Sequence, residues 1–193
     1  MKPILPILFL GTLLAQPASA HVLPGQQDSF LHGLTHPFLG MDHVLAMVAV
    51  GLWAAVQGGR ALWALPLGFV GGMIAGFCLA LVGMQLPLVE PMILASVIVL
   101  GLCVTVSLKL PLSASVGIVA VLGLFHGHAH GAEMGTSGVL TFGLGFALAT
   151  AMLHTIGVAF ARGVLLRAPA LGSKIIAGLG GMTTLWGLAL AFG

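Results

Sequence analysis

From about residue 30 to the end, the chain is a succession of long apolar runs separated by short stretches containing Gly, Pro or a charge. Six of these runs approach the roughly 20 residues that a helix needs to cross the hydrocarbon core of a bilayer. They cover residues 30–56, 61–82, 90–108, 112–130, 138–161 and 174–192. No polar segment long enough to fold in water interrupts them. The pattern predicts an all-α, polytopic membrane protein in which residues 21–193 form a single bundle of six transmembrane helices.

The first twenty residues have a different pattern. Lys2 precedes an apolar run through Leu14, and Gln16-Pro17-Ala18-Ser19-Ala20 follows it. That order of a basic end, a short apolar stretch and small residues predicts a cleavable signal peptide over 1–20. Cleavage would leave His21 as the mature N-terminus, on the periplasmic side of a bacterial inner membrane.

Composition agrees with the pattern. Of 193 residues, 59% are hydrophobic and 5% are charged, a balance that would give a water-soluble domain an untenable apolar surface. The few charges predict the topology, because basic residues accumulate in cytoplasmic loops. With the mature N-terminus outside, Arg60, Lys109, Arg162, Arg167 and Lys174 fall on the inner side, whereas Asp28, Glu90 and Glu133 fall on or near the outer side.

The composition also excludes several function classes. There is no basic stripe of the kind nucleic acid requires. The glycines follow no phosphate-binding pattern, so the chain carries no ATPase motif. Gly68, Gly72 and Gly76, and likewise Gly178 and Gly181, read as close-packing positions between helices. Cys78 and Cys103 stand apart within apolar runs and read as small buried hydrophobes, not as a zinc or redox pair.

Histidine is what changes the picture. The chain has eight, against ten charged side chains, and they fall into groups. His32, His36 and His43 accompany Asp42 in the first run; His126, His128 and His130 accompany Glu133 at the end of the fourth. With the first run directed inward and the fourth outward, both groups lie toward the outer face. On a straight helix His32, His36 and His43 lie within about 40° of one another around the axis. His126, His130 and Glu133 share a stripe on the other helix, and two facing stripes could enclose an ion. Asp42 and His128 point elsewhere on ideal helices.

Pro37 and Gly40 disturb the first stripe, since proline removes an N–H and biases His36 away from helical angles. A break over residues 36–40 could bring Asp42 into line with the imidazoles. Such breaks recur at transporter ion sites. Imidazole with carboxylate suits nickel, cobalt, copper or zinc, while magnesium and calcium want oxygen ligands. Asp42 could instead accept a hydrogen bond from a metal-binding imidazole. Ionisable groups inside a membrane are costly and usually functional, which favours a metal site over helix packing.

The residues themselves carry a resemblance. The stretch His36-Pro37-Phe38-Leu39-Gly40-Met41-Asp42-His43 matches the HPxxGxDH signature of the HupE/UreJ nickel permeases, and Phe125-His126-Gly127-His128-Ala129-His130-Gly131-Ala132-Glu133 matches their FHGxAHGxE signature. The resemblance extends over the whole mature chain. It implies uptake of nickel, or in some members cobalt, to supply hydrogenase or urease maturation. The metal is then a transported substrate, with no cofactor permanently bound. By the same resemblance His36, Asp42, His43, His126, His130 and Glu133 are transport residues; His32 and His128 rest on spacing alone.

Two histidines stand outside these groups. His21 with a free terminal amine would form a chelating pair, unless it belongs only to a mobile terminus. His154, in the fifth run, is either an inner way-station for the ion or a polar packing residue. Met41, Met47 and Met152 read as core fillers. The membrane potential and proton exchange both remain open as drivers. A membrane metalloenzyme and a metal-binding sensor or chaperone are the competing readings; the absence of an HExxH helix counts against the first.

Overall fold

The structure, a computed structural model, describes residues 30–133 and 138–193, except for the side chain of Glu133. The predicted signal peptide and His21 lie outside the described residues. Among these all regular secondary structure is helical. Helices α1 (Phe30–Thr35), α2 (Met41–Gln57), α3 (Ala61–Leu81), α4 (Val89–Thr105), α5 (Leu112–Glu133), α6 (Val139–Arg167) and α7 (Pro169–Phe192) follow one another with short connections.

Four of them, α3, α5, α6 and α7, are long and apolar enough to cross a membrane. The pair α1 and α2 would make a fifth if counted as one span, and α4 is a shorter apolar helix of 17 residues. The surface fits that setting. Leu140, Leu185 and Phe192 are exposed, as are many other large apolar side chains, whereas His126, His128, His130 and His154 are buried. Water would favour the reverse arrangement, so this is a membrane protein.

The first predicted span is broken where proline and glycine led us to expect it. After α1 the chain makes a single 3₁₀ turn over His36–Phe38, and α2 leaves at 84° to the preceding helix. Gly40 is extended (φ −109°, ψ 120°), and its carbonyl accepts the first bond of α2, from Val44 N–H at 3.1 Å.

Other boundaries differ from those read in the sequence. The third run was expected to be helical through residue 108, but α4 ends at Thr105, and Ser107 adopts a left-handed φ of 50°. The fifth and sixth runs leave residues 162–173 between them; instead α6 continues to Arg167 and α7 starts at Pro169, with only Ala168 between them. Proline cannot extend α6 but suits the first turn of a helix, which makes this abrupt junction possible.

Close backbone contact holds the bundle together. In α3, Gly68, Gly72 and Gly76 face Val116, Ala120 and Leu124 of α5; in return, Gly123, Gly127 and Gly131 face Phe69, Met73 and Phe77. The constant offset shows that α3 and α5 run side by side in the same direction. A β-carbon at Gly72, Gly76, Gly123 or Gly127 would overlap a carbonyl of the facing helix. Gly51 and Gly157 perform the same role between α2 and α6, and Gly101, Gly180 and Gly187 between α4 and α7. Of the expected small-residue positions in α7, Gly178 has open space around it and Gly181 only a 4.0 Å neighbour; the actual contact is at Gly180.

At the end of the bundle near Arg60, polar bonds tie the helices to the loop before α5. Trp53 Nε1 donates to the Leu108 carbonyl at 2.8 Å, and Leu110 N donates to Gln57 Oε1 at 3.3 Å. The histidines gather toward the opposite end.

Candidate metal path

The break before α2 turns His36 and His43 toward α5, so the two histidine groups meet in the interior. The ring centroids of His36 and His130 are 4.6 Å apart, those of His43 and His130 4.6 Å, and those of His43 and His126 4.7 Å. His32 joins at 5.4 Å from His36. The rings therefore form a file, in the order His32, His36, His130, His43, His126. Phe142 touches His32 and His36, and Phe146 touches His130, giving the file an aromatic wall from α6.

The straight-helix stripe for His32, His36 and His43 does not survive the 84° bend. These side chains nonetheless converge, because the bend carries His36 and His43 around His130. Gly33 makes this possible: α1 lies so close to α6 that a β-carbon there would overlap the Phe142 carbonyl.

Asp42 reaches the group through its neighbour. Its Oδ1 accepts from the His43 backbone N–H at 2.8 Å and from His43 Nδ1–H at 2.9 Å. A carboxylate can only accept, so in the neutral ring the proton sits on Nδ1 and Nε2 carries the lone pair. That Nε2 is buried and has no hydrogen-bond partner among the described residues. Gly40 leaves room for the pair: a β-carbon there would lie 2.6 Å from Asp42 Oδ1 and 3.2 Å from His43 Nδ1.

His126 is fully buried, and its Nε2 lies 2.8 Å from Ser96 Oγ of α4. Its Nδ1 is also buried without a hydrogen-bond partner among the described residues. Leaving such an atom unsatisfied costs about 1–3 kcal/mol. A cation that accepts the lone pair offsets that cost, so the donor set fits a transition metal.

His128 lies apart, as its helical position predicted. Its Nε2 is 2.7 Å from the Met84 carbonyl and 3.3 Å from Leu86 N, so it holds the connection between α3 and α4. His154 is buried on α6, with both ring nitrogens lacking a hydrogen-bond partner among the described residues. It connects to the file through Phe69, whose ring is 5.3 Å from His126 and 5.2 Å from His154. Glu133 closes α5, but its side chain lies outside the described residues, as does His21. Among the described residues no three His, Cys, Asp or Glu side chains already surround a common point. The imidazoles are strung out in sequence.

Sequence reasoning missed Phe69, Ser96, Phe142 and Phe146. The three phenylalanines carry no signal within apolar runs. Ser96 does carry one, as a lone hydroxyl in the middle of a strongly apolar helix.

Comparison with known proteins agrees with the sequence signatures. The HupE / UreJ protein family profile matches residues 8–190. Protein HupE of Rhizobium leguminosarum bv. viciae is 42% identical over 182 residues, covering 93% of this chain and 94% of the relative. No solved structure matches. The two histidine signatures, their meeting in the interior and a match along nearly the whole length lead to one conclusion: the chain belongs to the HupE/UreJ family.

Proposed function

We propose that this protein is an uptake permease for a divalent transition-metal ion, nickel in preference to cobalt, acting in the bacterial inner membrane and supplying metalloenzyme maturation such as that of hydrogenase or urease. In this reading the chain crosses the bilayer six times, with α1 and α2 as one broken span and a periplasmic mature N-terminus after removal of residues 1–20. It has no catalytic role.

The observation that carries the proposal is the approach of His36 and His43 to His126 and His130, with ring centroids 4.6–4.7 Å apart inside an apolar bundle. Imidazoles in file can hand an ion from one lone pair to the next, and conduction needs sites weak enough to release it. Asp42, and Glu133 in the proposed path, supply negative charge against the dication. His154 continues the path inward beyond Phe69, His32 lies at its outer start, and His21 captures ions ahead of it. His128 acts on the structure of the connection it holds.

A dication moving inward gains about 4.6 kcal/mol per 100 mV, twice the value per unit charge. At ~1.4 kcal/mol per decade that drives roughly a thousandfold accumulation or more without ATP.

The test is uptake of radioactive nickel into proteoliposomes with an inside-negative potential, competed by cobalt, copper and zinc. A permease accumulates the label, and His43→Ala abolishes accumulation while still reaching the membrane. Metal that binds without crossing would instead indicate a sensor or chaperone. Preferential uptake of labelled cobalt would reassign the ion.

A further inference from the structure

We infer that Ser96, on a helix that contributes no histidine, is a positioning residue that fixes the tautomer of His126 and so directs its Nδ1 lone pair to the ion. The inference rests on the permease reading for its consequence, but not for its geometry.

Ser96 is fully buried, and its Oγ has two close neighbours: the Ile93 carbonyl at 2.6 Å and His126 Nε2 at 2.8 Å. A hydroxyl carries one hydrogen, and a carbonyl carries none. Two oxygens 2.6 Å apart with no proton between them would repel, so the Ser96 hydrogen points at Ile93. Ser96 can then only accept from the ring. His126 must therefore donate through Nε2–H, which in the neutral ring leaves Nδ1 unprotonated.

That assignment explains why Nδ1 is buried without a partner among the described residues. It also complements His43, where Asp42 takes the Nδ1 proton and leaves Nε2 bare. Two neighbouring rings, 4.7 Å apart, thus have their protons drawn off by groups outside the file, each leaving one bare nitrogen. On His43 the proton acceptor comes from the adjacent residue. On His126 it comes from α4, whose packing on α7 through Gly101 and Gly187 sets its position. A neutral imidazole free to exchange tautomers would spend part of its time with a proton where the metal must bind, and groups that settle this choice typically change metal affinity 10–100-fold (on the order of).

Two readouts test it on full-length protein. Long-range proton–nitrogen correlation spectra of ¹⁵N-histidine-labelled protein in micelles report the tautomer directly, with His126 identified by the signals missing in His126→Gln. The wild type is expected to show a protonated Nε2 and a bare Nδ1 at His126, and Ser96→Ala to lose that preference. In proteoliposomes, Ser96→Ala is expected to raise the KM for labelled nickel about tenfold or more with little change in maximal rate, and Ser96→Thr, which keeps the hydroxyl, to restore it. A protonated Nδ1 in the wild type, or an unchanged KM in Ser96→Ala, overturns the inference. Absence of nickel uptake by the wild type defeats the permease reading instead, and the spectrum of the same preparation still decides the tautomer.

Discussion

Gly127 sits between His126 and His128 on α5, and its place in the structure allows a quantitative expectation. A β-carbon there would overlap the Met73 carbonyl of α3, and also lies within 2.6 Å and 2.8 Å of the Met73 carbonyl carbon and Cα. All three atoms are backbone, so no side chain can swing aside. Restoring an ordinary contact of about 3.5 Å requires the helices to separate by on the order of 1–2 Å. That shift is large relative to ring spacings of 4.6–4.7 Å in the histidine file. Gly127→Ala should therefore destabilise the protein by about 1–3 kcal/mol through overpacking, and should abolish most nickel uptake. Gly117→Ala is the control, because a β-carbon there meets nothing within 4 Å on the same helix. It should gain up to about 1 kcal/mol from helix propensity and transport normally. Thermal unfolding in detergent and initial uptake rates in proteoliposomes measure both. Equal behaviour of the two variants would refute the claim that close packing of α3 on α5 positions the rings.

Three further outcomes follow from the same geometry. Asp42→Asn keeps the size of the side chain but removes the charge that holds the His43 proton on Nδ1, so nickel uptake should need on the order of 10–100-fold more metal for half-maximal rate. His128→Ala should lower thermal stability by about 1 kcal/mol through loss of the bond from Nε2–H to the Met84 carbonyl, while the KM for nickel measured on the folded protein stays unchanged. Trp53→Phe should cost about 1 kcal/mol of stability by removing the 2.8 Å bond to Leu108, again without altering the KM; a shift in nickel affinity would refute the separation of this bond from the histidine file.

The candidate site was legible where the bilayer makes residues conspicuous. His36, Asp42, His43, His126 and His130 stand out because ionisable groups are expensive among apolar helices, and Pro37 with Gly40 announced the break that gathers them. The argument from a straight helix placed His32, His36 and His43 on one stripe; a turn of 84° replaced that stripe, and only the fold could show that the turn wraps around His130. The aromatic wall was hidden, since Phe142 and Phe146 look like any lipid-facing or core residue in α6. Ser96 was visible as a lone hydroxyl, but its partner is 30 residues away on another helix, and helix pairing is not written in apolar periodicity. The helix ends were blurred for a related reason. Val106 and Leu108 continue the apolar pattern of α4 on either side of Ser107, whose left-handed φ is a backbone choice that hydropathy does not record.

The central claim is that imidazoles from the broken first segment and from α5 bind the same cation. X-ray absorption at the nickel edge of the purified, nickel-loaded protein tests it most directly. The account predicts imidazole scattering from at least two rings, reduced by one in His43→Ala and by one in His126→Ala. A shell of oxygen alone, or a spectrum unchanged by both substitutions, would contradict it.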